Sequence, residues 1–533
     1  MRIRHLKLLT VITVITVSVT ITSCKKNLEP IGQTTTASVY KDFNNYVQVL
    51  GKLYNAYAIS GQQGPAGNAD IVGIDEGFGN YLREYFNMQE LTTDEAQIVW
   101  NDGTVHTLHD GTWNNQCEFI RAMYDRIYYA ISLDNEFIRN TTDAQLSANG
   151  ITGANLATVK QYRAEARYLR ALSYWHAIDL FGDVPFVTDA DKVGVFFPVQ
   201  KSRAFVFSYI ESELKAIDGD LGAPRFSYGH ADQGAAWTLL TKLYLNAKVY
   251  TGTDRSTDAI TYAKKVIGAG YTLEQHFQNL FLADNNLSHE IIFPIESDGI
   301  HTQGYGGMTY IVHASVGGNM DAANGFGIKS GGWGGLRTTP QYVALFPDPS
   351  GNTDKRAMFF TNGQTLDIKD EYTFANGYAI TKFKNITSTG AIGSDPTGTF
   401  VDTDYPMFRL ADVYLMYAEA VLRGGQGGDL ATALTYVNDV RTRAYDGSAA
   451  GNITAGQLNL QFILDERGRE LLFEGHRRTD LIRFGQFTGS TYVWQWKGAA
   501  HQGTGIADYR NLMPIPSTDM VNNPTLKQNP GYN

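Results

Sequence analysis

The chain has 533 residues, 43% hydrophobic and 18% charged, a mixture that buries a large core and excludes a disordered or collagen-like chain. Its net charge is −10 and no basic block lies beyond the N-terminus, which argues against nucleic acid as a partner. Aromatic residues reach 12% and glycines number 54, a pairing that predicts long loops presenting rings.

Residues 1–23 read as a targeting segment. Arg2, Arg4 and Lys7 give a positive start, and Leu8–Ile21 is an apolar run of 14 residues, short of the ~20 that a membrane helix needs. Ile21-Thr22-Ser23-Cys24 has the form of a bacterial lipobox, in which small residues precede a cysteine that takes a diacylglycerol before cleavage. Cys117 is then the second thiol, and no intrachain disulfide is available. Two or three acyl chains anchor durably, where one binds marginally. Residues 24–39 are polar and read as a tether.

Tyr40–Ser60 carries a helical period through Phe43, Val47, Leu50, Leu53 and Tyr57. Gly61–Trp113 changes character, with glycines at 61, 64, 67, 73, 77 and 79 among aromatics and carboxylates, and predicts a long loop of the kind that carries function. Glu118–Ile138 returns to helix, and Arg139–Asn155 is a polar linker. Tyr162–Phe181 has two apolar stripes, Tyr162, Ala166, Leu169, Leu172 and Tyr168, Ala171, Trp175, Ile178, Phe181, which predict a helix buried on both sides. Gly182 ends it, and Asp183-Val184-Pro185 turns the chain into an extended run. Phe205–Ile217 is a shorter helix, Ala231–Tyr250 and Thr257–Ile267 form a pair, and Glu290–Ile295 is a strand. Ser297–Arg337 holds twelve glycines and shows no helical period, so a second long loop is expected. Tyr372–Lys384 alternates like a strand. Met407–Arg423 and Leu430–Tyr445 pair around a glycine-rich turn, Leu458–Phe473 is a last helix, and the chain from Gly475 is expected to be extended. Helix pairs recurring on short turns are the unit of tetratricopeptide-like stacks, although no clean repeat of ~34 residues is visible.

No H-E-x-x-H, C-x-x-C, G-x-S-x-G or P-loop motif occurs. Gly325-Phe326-Gly327 and Gly332-Trp333-Gly334 do not clearly open a helix, so a phosphate cradle is not expected. Asp75/Glu76 and Asp94/Glu95 are acidic pairs of a type glycosidases use, but such pairs are common in loops, and no enzyme is expected. Asp402-Thr403-Asp404, with Asn286 or Asp284, would make an oxygen-only calcium site; a solvated acidic turn or a helix N-cap region is the alternative. The loop rings carry the stronger signal. Sugars have an apolar C–H face that suits flat rings and a hydroxyl rim that suits fixed charges. Trp100, Tyr305, Phe326 and Trp333 lie in the two glycine-rich regions, with Asp75, Glu76 and Arg83 nearby in sequence; packing is the competing role for each ring.

Four long stretches carry a resemblance: Glu165–Phe186 (EARYLRALSYWHAIDLFGDVPF), Tyr405–Arg423, Asp465–Phe484 (DERGRELLFEGHRRTDLIRF) and Met513–Tyr532. Together they resemble the SusD/RagB family, surface glycan-binding lipoproteins of Bacteroidetes. The resemblance implies a mainly α, tetratricopeptide-like scaffold of about four helix pairs. These fall at 40–60 with 118–138, 160–181 with 205–217, 231–250 with 257–267, and 407–423 with 430–445. It implies one unit from residue 40 to 533. Its helical scaffold would occupy 40–60, 118–283 and 407–475, its irregular loop lobe 61–117 and 284–406, and its extended tail 476–533. It also implies a non-enzymatic protein, lipid-anchored to the outer membrane and facing outward, that works with a TonB-dependent transporter. Asp70–Trp100 and Asp298–Tyr310 resemble the starch-binding type of that family. On that likeness Trp100, Tyr305 and Phe326 form an aromatic arc, Asp75 and Arg83 meet sugar hydroxyls, and the ligand is starch or maltooligosaccharide. Phe326 stands where that type has Trp, Gly103 where it has Asn, and Ile98 where it has a further Trp. The alternatives are another glycan or a peptide on the same scaffold, or a structural partner of the transporter that binds no ligand.

Overall fold

The structure, a computed structural model, describes residues 36–65 and 69–532. Cys24 and the leader before it lie outside those residues. The chain divides at Tyr46/Val47. Before the division, the Tyr46 hydroxyl donates to the Tyr40 carbonyl at 2.7 Å. The scaffold and the site belong to the larger unit that begins at Val47.

That scaffold is a continuous series of packed helices: α1 (Glu118–Asn140), α2 (Gly153–Phe181), α3 (Arg203–Ala216), α4 (Gln233–Leu245), α5 (Ser256–Ile267), α6 (Leu410–Leu422), α7 (Leu430–Ala444) and α8 (Leu460–Leu471). α1 packs along α2, α3 against α2, α4 along α5, α5 along α6, and α6 along both α7 and α8. The mainly α, helix-pair architecture expected from the sequence is therefore present. The first pair differs. α1 folds back on α2 across a short link that is itself partly helical, Asp143–Ala148. The preceding helix is instead tied to α2 by hydroxyls, Tyr57 to the Leu169 carbonyl at 2.9 Å and Tyr54 to Glu165 Oε2 at 2.6 Å.

α2 is the centre of the series. From Ala164 to Phe181 every residue but Arg167 is buried, as its two stripes predict. Arg170 survives burial because Asn135 Oδ1, Asp189 Oδ1 and Glu213 Oε2 lie 2.6, 2.7 and 2.8 Å from its guanidinium. Gly182 stops the helix at φ +74°, where a Cβ would stand 2.9 Å from Leu512. Strand β1 (Ile291–Ile295) pairs antiparallel with β2 (Tyr405–Arg409), Phe293 facing Phe408. Phe293 then meets Tyr168 of α2 at 5.1 Å, edge to face.

The two glycine-rich stretches are less irregular than expected. Tyr81–Phe86 is a helix that runs on as a π-turn through Leu91, His106–Asp110 is a helical turn, and Gly307–Ala314 is a buried helix. Glycine sits before these helices or at their first position and not in their interiors, so it hides their period without breaking it. The Tyr372–Lys384 alternation yields only a two-residue strand, Ala379–Ile380, paired with Phe359–Phe360. Beyond Gly475 the chain is not simply extended, because Arg477–Arg483 is a buried helix.

Candidate functional site

The site is assembled where the two glycine-rich stretches meet. Arg126 of α1, fully buried, donates to the carbonyls of Ser60 (2.9 Å) and Gly79, clamping both ends of the loop that bears Asp75. Asn80 caps the Tyr81–Phe86 helix by accepting from Arg83 N at 3.1 Å. Gly306 packs against this cap so closely that a Cβ would lie 2.3 Å from Asn80 Cβ. The close approach sets Tyr305 beside the Asp75 loop. A Cβ at Gly77 would stand 4.0 Å from Tyr305 Cβ and 3.0 Å from Asp75 Oδ1.

The carbonyls ending the Gly307–Ala314 helix then organise the next segment. Trp333 N donates to His313 O and Gly335 N to Ala314 O, each at 2.8 Å. From there the chain pairs with Gln97–Ile98, Leu336 facing Ile98. Trp100 emerges from this pairing and donates from Nε1 to the Trp333 carbonyl at 3.2 Å.

Three rings result in one row. Trp100 and Trp333 have centroids 6.3 Å apart at 48°, and Trp333 and Tyr305 are 6.4 Å apart at 50°. Two successive tilts of this size take the three rings out of a common plane. Tyr305 is 36% exposed and both tryptophans are half-buried. Trp333 is backed by the His313 ring, stacked at 4.7 Å and 27°, whose two nitrogens face the Gly331 and Thr399 carbonyls at 2.7 Å each. Tyr310 supports the other end, edge-on to Trp100 at 6.0 Å and carrying the Arg83 guanidinium 4.2 Å above its ring. Asp75 is exposed, and its Oδ1 accepts from Gly77 N and Phe78 N at 2.8 and 3.1 Å. Oδ2 of that fixed carboxylate is left toward solvent.

Of the five residues expected at the site, Trp100, Tyr305, Asp75 and Arg83 gather here. Phe326 does not. It is 6% exposed, with the Lys384 ammonium 5.4 Å from its ring, and among the described residues it makes no ring contact with Tyr305 or Trp333. Trp333 occupies the place expected of it. The signal was local and ambiguous, since both rings sit between two glycines. His313 was missed because a buried histidine within an apolar run has no sequence signature. At Gly103 the φ is +51° and a Cβ would fall 1.7 Å from Glu118 Oε1, so a polar amide in its place would displace Glu118.

The other candidate chemistries resolve into structure. Asp94 is buried and bidentate with Arg477, 2.8 Å on each side, and takes the Tyr492 hydroxyl at 2.7 Å. Glu95 accepts from Phe473 N at 2.9 Å, and burial pushes its carboxyl well up. Asn286, Asp402 and Asp404 do line one cleft of about 460 Å³ with Glu296 and Asp298. Their oxygens, however, are occupied by proton donors. Asp402 accepts from Gly299 N and Ser394 Oγ, each at 2.7 Å, and Asp404 from Ser297 N and the Tyr228 hydroxyl, each at 2.7 Å. Asp284 is likewise taken by Ser388 N and Oγ, at 2.8 and 2.6 Å. Calcium needs those lone pairs, so the residues as placed do not fit it. Burial also pushes Asp404 up to about 7, which disfavours its charged form.

Residues 348–532 match the SusD family. Along the whole chain, the starch-binding protein SusD of Bacteroides thetaiotaomicron is 35% identical, the alignment covering 96% of each protein. The SusD-like protein P2 of Formosa agariphila is 27% identical over 78% of this chain and 81% of that one. Among solved structures, a laminarin binding SusD-like protein has a TM-score of 0.68, covering 92% of this chain and 99% of that one at 22% identity, a likeness of fold alone. With 35% identity to the Bacteroides thetaiotaomicron protein sustained over 96% of both chains, this chain belongs to the SusD family.

Proposed function

We propose that this protein captures starch-like α-glucan oligosaccharides at the cell surface, on the row Trp100–Trp333–Tyr305. The row's two successive tilts carry the reading. An α-1,4-glucan bends along its length, so consecutive sugar C–H faces can lie on consecutive rings, while a flat β-1,4-glucan touches one or two. Asp75 and Arg83 stand at the edges of the row to meet hydroxyls. The identity to a starch-binding relative supports the same ligand class. Function by binding, without hydrolysis, is supported by the ion pairs that lock Asp94 and by the burial of Glu95. The lipobox at Cys24 supports outer-membrane anchoring by lipid, and delivery to a TonB-dependent transporter completes the proposal.

Each ring–sugar stack should contribute ~0.5–1.5 kcal/mol, as aromatic pairs do. Calorimetry with maltoheptaose should therefore show up to about tenfold weaker binding in Trp333→Ala and near-complete loss in Trp100→Ala with Tyr305→Ala. Equal affinity for a laminarin oligosaccharide would redirect the proposal to β-1,3-glucan, which also curves. Full maltoheptaose affinity in the double variant would remove the row from the function. Cys24→Ala should shift the protein from the membrane fraction to the soluble one; membrane retention that resists high salt would end the lipid-anchor reading.

A further inference from the structure

Away from the ring row, the geometry points to a divalent transition-metal site of the zinc class made by His106, His109 and Glu371, with Asp110 beside it. His106 and His109 stand three apart on one helical turn, so both imidazoles project from one face, with centroids 4.6 Å apart. Glu371 arrives from a segment 262 residues later than His109. Its Oε2 is hydrogen-bonded to His109 Nε2 at 3.2 Å, a single contact that the ion would replace, and lies 3.7 Å from His106 Nδ1. Asp110 Oδ1 lies 3.4 Å from the same His109 Nε2. Zinc holds nitrogen and oxygen ligands at ~2.0–2.2 Å in a tetrahedron, which places neighbouring ligand atoms ~3.3–3.6 Å apart. The three measured separations span that range to within a few tenths of an ångström, and the donors of the two histidines and Glu371 all lie within 4.8 Å of one another.

A second observation is independent of those distances. His106 is 8% exposed, and neither of its ring nitrogens has a hydrogen-bond partner; Asp110 Oδ1 is buried and equally without one. Buried polar atoms are rarely left so, because they give up hydration with nothing in return. A cation on one His106 nitrogen would satisfy that atom and draw in the Asp110 carboxylate beside it. Tyr372, stacked on His106 at 4.6 Å and 21°, covers one side of the group. Arg337 is the cation at its edge, but its guanidinium donates to the Glu371 backbone carbonyl, and two carboxylates outweigh it. Ile98 N–H donates to His109 Nδ1 at 3.5 Å, a long bond that would be given up when Nε2 takes the ion. Two imidazoles with a carboxylate select the zinc class over calcium or magnesium, which prefer oxygen throughout. The bound ion would join the segment at 371 to the His106–Asp110 turn, just beneath the Gln97–Ile98 strand from which Trp100 emerges.

The test uses the purified full chain, stripped with chelator and titrated with ZnCl₂ or CoCl₂ alone. One equivalent of Zn²⁺ should bind with a rise in melting temperature, and Co²⁺ should show the intense visible bands of a tetrahedral site. His109→Gln with Glu371→Gln should weaken binding at least 100-fold, whereas His301→Gln, on the exposed surface, should leave it unchanged. Absence of saturable Zn²⁺ binding by the wild-type chain, weak octahedral Co²⁺ bands, or undiminished affinity in the double variant would each overturn the site. The wild-type measurement decides even where the double variant fails to fold.

Discussion

Phe326 and Trp333 look alike as residues and differ in what surrounds them. Phe326→Ala empties a buried site and should cost ~3–5 kcal/mol of stability while leaving glycan affinity near wild type. Trp333→Ala should do the reverse, weakening binding with a small change in melting temperature. Denaturant titration and calorimetry on the same two variants check this; a stable, non-binding Phe326→Ala would restore that ring to the site. Glu84 makes a second prediction. Burial pushes its carboxyl up to about 8 although Arg83 beside it pulls the other way, and one of its oxygens has no partner. A raised carboxyl is bound more tightly to its proton in the folded chain. Its contribution is present at low pH and lost as pH rises from the ordinary carboxylate range toward 8. Glu84→Gln should therefore raise the melting temperature at pH 8 and change it little at pH 4. An equal shift at both values would show that charging of Glu84 is not the cause.

At the scale of elements, the ring row depends on backbone pairing more than on the rings themselves. Gly335 lies between Trp333 and the short strand at Leu336, and a Cβ there would stand 2.6 Å from the Trp100 ring. That neighbour is a broad indole held by its own hydrogen bond, so it cannot yield as the tip of a flexible chain would. Gly335→Ala should tilt Trp100 out of the row and weaken maltoheptaose binding by about tenfold, ~1.4 kcal/mol, with the strand pairing intact. Unchanged affinity with a displaced Trp100 fluorescence maximum would show that the row tolerates the tilt. Helix α8 illustrates the opposite case, an element whose charges serve the fold. Its Glu470 lies 2.6 Å from Arg409 of β2 and also pairs with Arg443 of α7, while Glu466 lies 2.7 Å from Arg356 and 2.6 Å from Arg441. All four arginines and both glutamates are buried. The long charged motif from Asp465 onward is thus an internal lattice of ion pairs that ties strand, loop and helices together.

For the whole molecule, that lattice sets the acid limit. Burial alone would raise these carboxyls, but the facing arginines win. Glu419 is held at about 2 by Arg483 and Arg423, and Glu466, Glu470, Asp412 and Asp480 are held low in the same way. A depressed carboxyl stabilises the fold above its unfolded value, ~4.3 for glutamate, and that stability is lost as pH falls toward the folded value. The contribution of this lattice should be constant above about pH 5, and the scaffold should unfold cooperatively below about 4. Arg409→Ala leaves Glu290, Glu470 and Glu474 short of a buried partner and should cost ~3–5 kcal/mol at neutral pH. Circular dichroism against pH on both proteins checks this, and a variant as stable as wild type would mean that Arg443 and Lys382 satisfy the three glutamates by themselves.

The sequence by itself determined the helices whose apolar period is long and uninterrupted. Examples are α2 with its two stripes and the α6–α7 pair around Gly424–Gly428, because burial of a face imposes that period directly. It also carried the family resemblance, in long motifs such as Asp465–Phe484, whose charges form the buried ion-pair lattice. Helices entered from glycine, Tyr81–Phe86 and Gly307–Ala314, were not legible, because short buried segments show no amphipathic contrast. Only the tertiary structure decided which helix packs on which, since Tyr54 and Tyr57 reach across more than a hundred residues to α2. It alone chose Trp333 over Phe326, because two rings each flanked by glycines are equivalent along the chain and differ only in whether the fold covers them. The same holds for His106, His109 and Glu371, whose meeting depends on a chain path that no local pattern records.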